Sequence, residues 1–161
     1  MNIAKVTYSE DKDFKLRNRN RVAEPKAVEY LNRRMVPFIR TGIDALDCNA
    51  PIWKIPSFIR AIPDFIIFNQ YNQPLFFEAK GFVDKVKLKI RDLRNYRTWN
   101  EQLKTILFFY DIKREAYCEV MFNEIVRIIK EKKPEIKSYP EHPDNTYYEM
   151  PTHWLPDFTN F

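Results

Sequence analysis

The stretches Ile62–Phe68, I-P-D-F-I-I-F, and Leu75–Lys80, L-F-F-E-A-K, decide the fold of this 161-residue chain. Both are mainly apolar and have the length of a β-strand. The segment between them, residues 69–74, is polar and ends in a proline, which is typical of a loop. The pattern therefore predicts a β-hairpin.

Three charged residues lie at one end of this hairpin. Side chains alternate along a strand with a period of two, so Glu78 and Lys80 point to the same face. Phe77 and Ala79 point to the opposite face. When the two strands pair, Asp64 approaches Glu78 and Lys80. Two carboxylates and one ammonium group are therefore predicted to converge beside an apolar sheet.

This convergence suits metal-assisted hydrolysis of a phosphodiester bond. Carboxylates bind hard divalent cations such as Mg²⁺ or Mn²⁺, which lower the pKa of bound water and polarise a phosphoryl oxygen. The lysine can orient the attacking water and stabilise negative charge in the transition state. The alternative is a solvent-facing Glu/Lys pair and an unrelated turn aspartate. The combination of P-D, hairpin, E-x-K and a following basic segment favours the catalytic interpretation.

A further carboxylate lies on a helix that is predicted to begin at Glu24–Pro25, because proline is favoured in the first turn. Glu24 falls on the apolar face of this helix, and Glu29 falls on the polar face. Glu24 is therefore expected at the rim of the core, where it could complete the site. The predicted buried face consists of Val28, Leu31 and Met35.

Apolar patterns predict the remaining elements. Strands are expected at Val36–Arg40, Ile52–Ile59 and Ile106–Tyr110, and amphipathic helices at about Asp84–Leu103 and Glu115–Lys133. The first of these helices would present a basic stripe, since Lys87, Arg91 and Arg94 recur at helical spacing. Such a stripe could contact phosphates beside the cut site. The predicted nucleic-acid-binding residues are Lys85, Lys87, Lys89, Arg91 and Arg94.

The chain resembles the PD-(D/E)xK nucleases in Pro63–Asp64 and Glu78–Lys80, and in the order of its elements between Glu24 and Asp111. Within that superfamily, P-D-F followed by a short hairpin and E-A-K-G is most similar to the phage Holliday-junction resolvases of the endonuclease I type. The resemblance implies an α/β fold with a restriction-endonuclease-like αβββαβ core, in which helices flank a central mixed sheet.

The same resemblance implies a role for each matching residue. Asp64 would be the central ligand of Mg²⁺, with Mn²⁺ as a substitute, and Glu78 would be the second ligand. The backbone carbonyl of Ala79 would add a ligand, Lys80 would act on the nucleophilic water, and Glu24 would be the helix carboxylate. The implied substrate is DNA, in particular branched DNA, and the implied origin is a phage.

Composition limits the remaining classes. The net charge of +5 and the pI near 9.1 fit a nucleic-acid partner. With only two cysteines and two glycines, a disulfide framework and a glycine-rich phosphate loop are excluded. No apolar run could span a membrane and no signal peptide is recognisable, so a cytoplasmic protein without a membrane partner is expected.

Three segments are predicted: a basic N-terminal arm at residues 1–23, a nuclease core at 24–133 and a tail at 134–161. The tail is rich in proline, which is expected to exclude regular structure there. It is also rich in aromatic residues, which are expected to pack on the same domain or on a second subunit in a homodimer.

Two classes of function remain open at this point. The first is a Mg²⁺-dependent endonuclease that acts on DNA, with an enzyme that acts on RNA as a variant. The second is a basic nucleic-acid-binding module that keeps the fold but does not cut. The set of Asp64, Glu78 and Lys80 favours the nuclease, because a binding module does not need these residues side by side.

Overall fold

The computed structural model describes residues 12–43, 54–140 and 142–161, with side chains from Val22 onward. The helices are α1 (Lys12–Arg33), α2 (Ser57–Arg60), α3 (Ile90–Gln102) and α4 (Phe122–Lys132). The strands are β1 (Phe38–Arg40), β2 (Phe65–Phe68), β3 (Pro74–Phe82), β4 (Lys85–Lys89), β5 (Thr105–Asp111), β6 (Ala116–Met121), β7 (Ile136–Tyr139), β8 (His142–Pro151) and β9 (Thr159–Asn160).

A six-stranded mixed sheet forms the centre of the molecule, with the strand order β1-β2-β3-β5-β6-β9. The neighbours β3 and β5 run parallel, and the other neighbouring pairs run antiparallel. The predicted α/β fold with a central mixed sheet flanked by helices is confirmed. The order of helix, three strands, helix and strand is also present, with α2 and β4 inserted into it.

Apolar side chains cover both faces of this sheet. On one face, Ala27, Leu31 and other residues of α1 pack on aromatic residues of β2, β3 and β5, including Phe77. On the other face, α3, α4 and a second sheet enclose a larger core that contains Phe109 and Ile125. The central strands are therefore buried on both sides, which fixes the position of the hairpin end that carries Asp64.

The first helix begins earlier than predicted. It starts by Lys12, so Pro25 lies inside α1 and not in its first turn. A proline inside a helix removes one backbone hydrogen bond, and burial of the apolar face around Ala23 offsets this loss. Met35, predicted as core, follows the end of α1 with a positive φ of 53° and is 88% exposed. The predicted basic arm ends inside α1, and its residues 1–11 lie outside the described residues.

Both predicted amphipathic helices are wrong in their first turns, because a strand precedes each helix. The segment Lys85–Lys89 forms β4, in which Val86 and Leu88 are buried, Lys85 and Lys87 are exposed and Lys89 is half-buried. The segment Ala116–Met121 forms β6, with buried and less buried residues in alternation. Alternation with a period of two indicates a strand whenever a neighbouring strand can supply the hydrogen bonds.

The C-terminal tail has regular structure, contrary to the expectation from its prolines. A three-stranded sheet has the order β4-β8-β7, and β9 extends the central sheet beside β6. Pro143 and Pro151 lie near the two ends of β8, where a strand tolerates the loss of an N–H donor. Met150 and Leu155 belong to the core, so this segment packs on its own chain.

The other expected strands are only partly correct. The predicted strand Val36–Arg40 begins at Phe38. The predicted strand Ile52–Ile59 is wrong where the structure describes it, because the segment Ser57–Arg60 forms the short helix α2 after Pro56. Residues 52 and 53 lie outside the described residues. Of the helices that the structure describes, none is both long enough and apolar enough to cross a lipid bilayer.

Candidate active site

The hairpin of β2 and β3 brings Asp64 directly against Glu78. Phe65 pairs with Phe77 in this hairpin, so the residue before β2 lies beside the next residue of β3. The Ala79 N–H donates a hydrogen bond of 2.8 Å to Oδ2 of Asp64. The Asp64 N–H donates one of 3.2 Å to Oε2 of Glu78. The backbone of the hairpin therefore fixes the positions of both carboxylates.

Glu78 is also held by two side chains that share one of its oxygens. The Tyr96 hydroxyl donates a hydrogen bond of 2.6 Å to Oε1 of Glu78. The Lys80 ammonium lies 2.7 Å from the same oxygen and 5.4 Å from the centre of the Tyr96 ring. Glu78 is only 6% exposed and Tyr96 only 3%. This carboxylate is therefore buried but has a donor at each oxygen.

Burial and charge set the protonation behaviour of this group of residues. Burial, followed by the negative charge of Glu78, raises the pKa of Asp64 well above its usual range. Burial alone would lower the pKa of Lys80, but the surrounding negative groups, Glu78 foremost, raise it well above its usual range. Burial and Glu78 also raise the pKa of Tyr96. At neutral pH, Lys80 is therefore a charged ammonium group and Tyr96 a neutral donor.

Glu24 of α1 lines the same cleft as Asp64, Glu78 and Lys80. Its Oε2 accepts a hydrogen bond of 2.5 Å from Nη2 of Arg40, and its charge contributes to the raised pKa of Asp64. Glu29, in contrast, faces outward and pairs with Lys26 and Arg33 along α1. The two glutamates therefore lie where the predicted helical faces placed them, although the helix begins earlier.

The cleft that joins these residues has a volume of about 370 Å³. Residues of the segment between β1 and β2 contribute to its wall, including Ser57 and Arg60 at the two ends of α2. The Trp99 indole N–H donates a hydrogen bond of 3.2 Å to the backbone oxygen of Phe58, which ties α2 to α3. The inserted segment is thus part of the candidate site.

The residues of the cleft that were not predicted as site residues include Arg40, Gly42, Asp92 and Tyr96. The spacing of Asp92 and Tyr96 could have identified that pair, since residues four apart share one face of a helix. Gly42 and Arg40 carry no such signal, because both reach the cleft through the pairing of β1 with β2.

Gly42 allows the backbone to approach Asp64 closely. The N–H groups of Thr41 and Gly42 donate hydrogen bonds of 2.8 and 3.0 Å to the backbone oxygen of Asp64. A Cβ atom on Gly42 would lie 3.2 Å from both Cα and Oδ1 of Asp64, which is tighter than ordinary van der Waals contact. A larger residue at this position would therefore displace the Asp64 carboxylate.

The oxygen atoms of Asp64 and Glu78 are suitable ligands for Mg²⁺ or Mn²⁺. Among the residues described, no group of three or more His, Cys, Asp or Glu side chains is arranged as a ready-made metal site. Magnesium commonly binds to one or two carboxylates and completes its shell with water and substrate phosphate. The residues present fit this type of site and do not fit a closed structural metal site.

The predicted basic residues lie along a second cleft but not on one helical face. Lys85, Lys87 and Lys89 project from one side of β4, whereas Arg91 and Arg94 lie on α3. All five line a groove of about 790 Å³. The groove and the carboxylate cleft share Lys80, Arg91 and Asp92, so the two surfaces are continuous.

Comparison with solved structures finds two similar proteins. One is Hjc from Archaeoglobus fulgidus, a Holliday junction resolvase from an archaeal hyperthermophile, with 10% identity and a TM-score of 0.50 over 88% of this chain and 91% of that chain. The other is D212, a nuclease from a fusselovirus, with 7% identity and a TM-score of 0.46 over 92% of this chain and 84% of that chain. No family model and no curated protein matches the sequence. At such low identity, the similarity to Hjc establishes that the two chains share a fold.

Proposed function

We propose that this protein is a nuclease that hydrolyses phosphodiester bonds of DNA in the carboxylate cleft, with Mg²⁺ as cofactor and Mn²⁺ as a substitute. The observation that carries the proposal is the contact of Asp64 with Glu78 and of Glu78 with Lys80 at the end of one hairpin. Two neighbouring carboxylates, one of them buried, repel each other, and the single ammonium group of Lys80 offsets only part of that cost, so a bound cation would stabilise the pair. A binding module that does not cut has no use for that arrangement.

In this proposal, Asp64, Glu78 and the backbone carbonyl of Ala79 hold the cation, and Glu24 completes the site from α1. The bound cation would supply a water molecule of lowered pKa and polarise the phosphoryl oxygen. The charged ammonium group of Lys80 orients the nucleophilic water and stabilises the negative charge that develops on the phosphate. Tyr96 keeps Glu78 in place through its hydrogen bond.

DNA is proposed as the substrate because the net charge is positive and because the basic groove continues into the cleft. The fold shared with a Holliday junction resolvase supports branched DNA as the first substrate to test. Lys85, Lys87, Lys89, Arg91 and Arg94 are proposed as phosphate contacts. The homodimer, the phage origin and the cytoplasmic location stay predictions.

The test is incubation of the purified protein with a four-way junction, duplex DNA, single-stranded DNA and RNA of matched sequence. Each substrate is incubated with Mg²⁺, with Mn²⁺ and with EDTA. We expect cutting of DNA in either metal and none in EDTA. Preferential cutting of RNA would show that the substrate is RNA and not DNA. Cutting that persists in EDTA would contradict the metal-dependent mechanism.

A Glu78→Gln variant, purified in the same way, serves as the control for contaminating nucleases. It keeps the size of the side chain but removes the charge that binds the cation. We expect its cleavage rate to fall by roughly a hundredfold or more. If the activity of this preparation equals that of the wild type, the cutting does not arise from the carboxylate cleft.

A further inference from the structure

The second sheet, formed by β4, β8 and β7, presents a positively charged face to solvent. Lys85, Lys87 and Lys89 alternate on β4 with the buried residues Val86 and Leu88. The strand register places Lys87 opposite Glu149, and places both Lys89 and Lys137 opposite Tyr147. Directly paired residues project from the same side of a sheet. We call this surface the lysine face, and it consists of Lys85, Lys87, Lys89 and Lys137 with Glu149.

Neighbouring side chains hold each of these lysines in position. Oε1 of Glu149 accepts hydrogen bonds of 3.0 Å from Lys85 and 2.9 Å from Lys137. The ammonium groups of Lys87 and Lys89 lie 5.0 and 5.7 Å from the ring centres of Tyr147 and Tyr139. Four lysines face a single glutamate, so a net positive charge remains on the surface.

The aromatic residues of this face do not offer an open surface for stacking with bases. Tyr147 is only 6% exposed, and its ring centre lies 4.6 Å from that of Tyr139. A lysine covers each of the two rings. Proteins that bind single strands typically use exposed aromatic rings as stacking platforms. The lysine face instead offers ammonium groups, which recognise phosphates without regard to sequence.

The lysine face also continues toward the carboxylate cleft. Its β4 lysines line the groove that reaches Lys80 and Asp92. Both of those residues also line the carboxylate cleft. A nucleic-acid backbone that lies on the lysine face can therefore extend toward Glu78.

We propose that the lysine face is a docking surface for the sugar–phosphate backbone of double-stranded nucleic acid. The inference rests on the proposed function and assigns a role to the C-terminal strands β7 and β8, which carry Lys137 and Glu149. These strands hold the duplex beside the cleft, and Glu149 partly neutralises the face in the free protein.

The experiment measures the affinity of the full chain for duplex DNA in EDTA, where no cutting is expected, over a range of salt concentrations. The test variant is Lys87→Ala/Lys137→Ala. The matched control is Lys130→Ala/Lys132→Ala, which removes the same charge from exposed positions of α4 that line neither cleft. Each lost phosphate contact should reduce the slope of log affinity against log salt by about 0.9.

We expect the test variant to bind duplex about tenfold more weakly at low salt and to lose nearly two units of slope. The control should keep the wild-type slope and, at physiological salt, an affinity within about twofold of the wild type, because distant surface charges are then largely screened. Test and control variants with equal affinity and slope would overturn the proposal. Wild-type protein that binds a single strand more tightly than a duplex would overturn the assignment to double-stranded nucleic acid.

A Glu149→Gln variant tests the same surface in the opposite direction. It frees Lys85 and Lys137 from their shared carboxylate, so we expect tighter duplex binding and a steeper salt dependence. Unchanged or weaker binding would overturn the proposal. All these binding measurements are made without metal. They therefore still test the docking surface if the protein proves not to cut DNA. A protein that cuts DNA while its lysine variants bind normally would refute only the docking surface.

Discussion

The carboxylate cleft and the lysine face lie side by side, but different forces hold them in place. In the cleft, backbone and side-chain donors bind each oxygen of Glu78, and the residue is almost completely buried. On the lysine face, the side chains of Lys85 and Lys137 are 57% and 40% exposed and meet at one carboxylate. The cleft is therefore buried and fully hydrogen-bonded at Glu78, whereas the interactions of the lysine face are exposed and expected to weaken with salt.

This difference implies two kinds of response to mutation. The buried residues of the cleft are held by one another, so the loss of a single one should nearly abolish the cleavage rate. Exposed lysines would each contact a different phosphate of the nucleic acid, so each loss should weaken binding by a similar increment. The two regions can therefore be separated by comparing the rate of cutting with the affinity for nucleic acid.

The largest expected contrast is between Lys80→Met and Lys87→Met. The first removes the ammonium group beside Glu78 and should lower the single-turnover cleavage rate by about a hundredfold to a thousandfold. The second removes a proposed phosphate contact and should raise the DNA concentration required for half-maximal rate. Quench-flow or gel assays at several DNA concentrations separate the two effects. If both variants changed the same parameter, the distinction between cleft and face would fail.

A second contrast is between Glu24 and Glu29, which both lie on α1, and it tests whether the active site extends to this helix. Glu24→Gln should lower the cleavage rate by roughly tenfold to a hundredfold, because Glu24 lines the cleft beside Asp64. Glu29→Gln should change it by less than about twofold, since its carboxylate pairs outward with Lys26 and Arg33. Equal rates for the two variants would remove Glu24 from the proposed site.

A smaller effect is expected from Tyr96→Phe, which removes the hydroxyl that donates to Glu78. The cleavage rate should fall about tenfold, and the Mg²⁺ concentration required for half-maximal rate should rise, because Glu78 loses a fixed orientation. Tyr71→Phe, in the exposed hairpin loop, is the control. A Tyr96 variant with a normal metal requirement would show that the hydroxyl does not position Glu78.

The smallest expected effect concerns stability without metal. Burial, followed by repulsion from Glu78, raises the pKa of Asp64. Asp64→Asn removes the buried charge and the repulsion, so the free energy of unfolding at neutral pH in EDTA should increase by about 1 kcal/mol. That corresponds to a rise in Tm of roughly 2–4 °C. The control is Asp84→Asn, where the carboxylate is exposed and lies 3.4 Å from Lys113. A lower Tm for Asp64→Asn than for the wild type would contradict the claim that the Asp64 charge destabilises the protein without metal.

The hairpin and its charged end could be predicted because their signals are local. The alternation of side chains in β3 and the turn before Pro74 need no distant partner, and they place Glu78 and Lys80 correctly. The face occupied by Glu24 was predictable for the same reason, because helical spacing is local.

The second sheet could not be predicted, because its strand partners are distant in sequence. Val86 pairs with Met150, and over five residues a period of two is hard to distinguish from helical spacing. For the same reason Ala116–Met121 was predicted as part of a helix, although this segment is a strand that pairs with β5. The role of the basic residues in binding nucleic acid stays a prediction, and the position of Lys85, Lys87 and Lys89 on one sheet face depends on the C-terminal strands.

The most direct test of the carboxylate cleft is the cleavage rate of Asp64→Asn in Mg²⁺, measured at saturating enzyme on the DNA that the wild type cuts best. The variant keeps a side-chain oxygen that can accept the Ala79 N–H but loses the charge that is proposed to bind the cation. The proposed mechanism predicts a loss of about a thousandfold or more, with DNA binding in EDTA that is unchanged or tighter. Cleavage at the wild-type rate would contradict it.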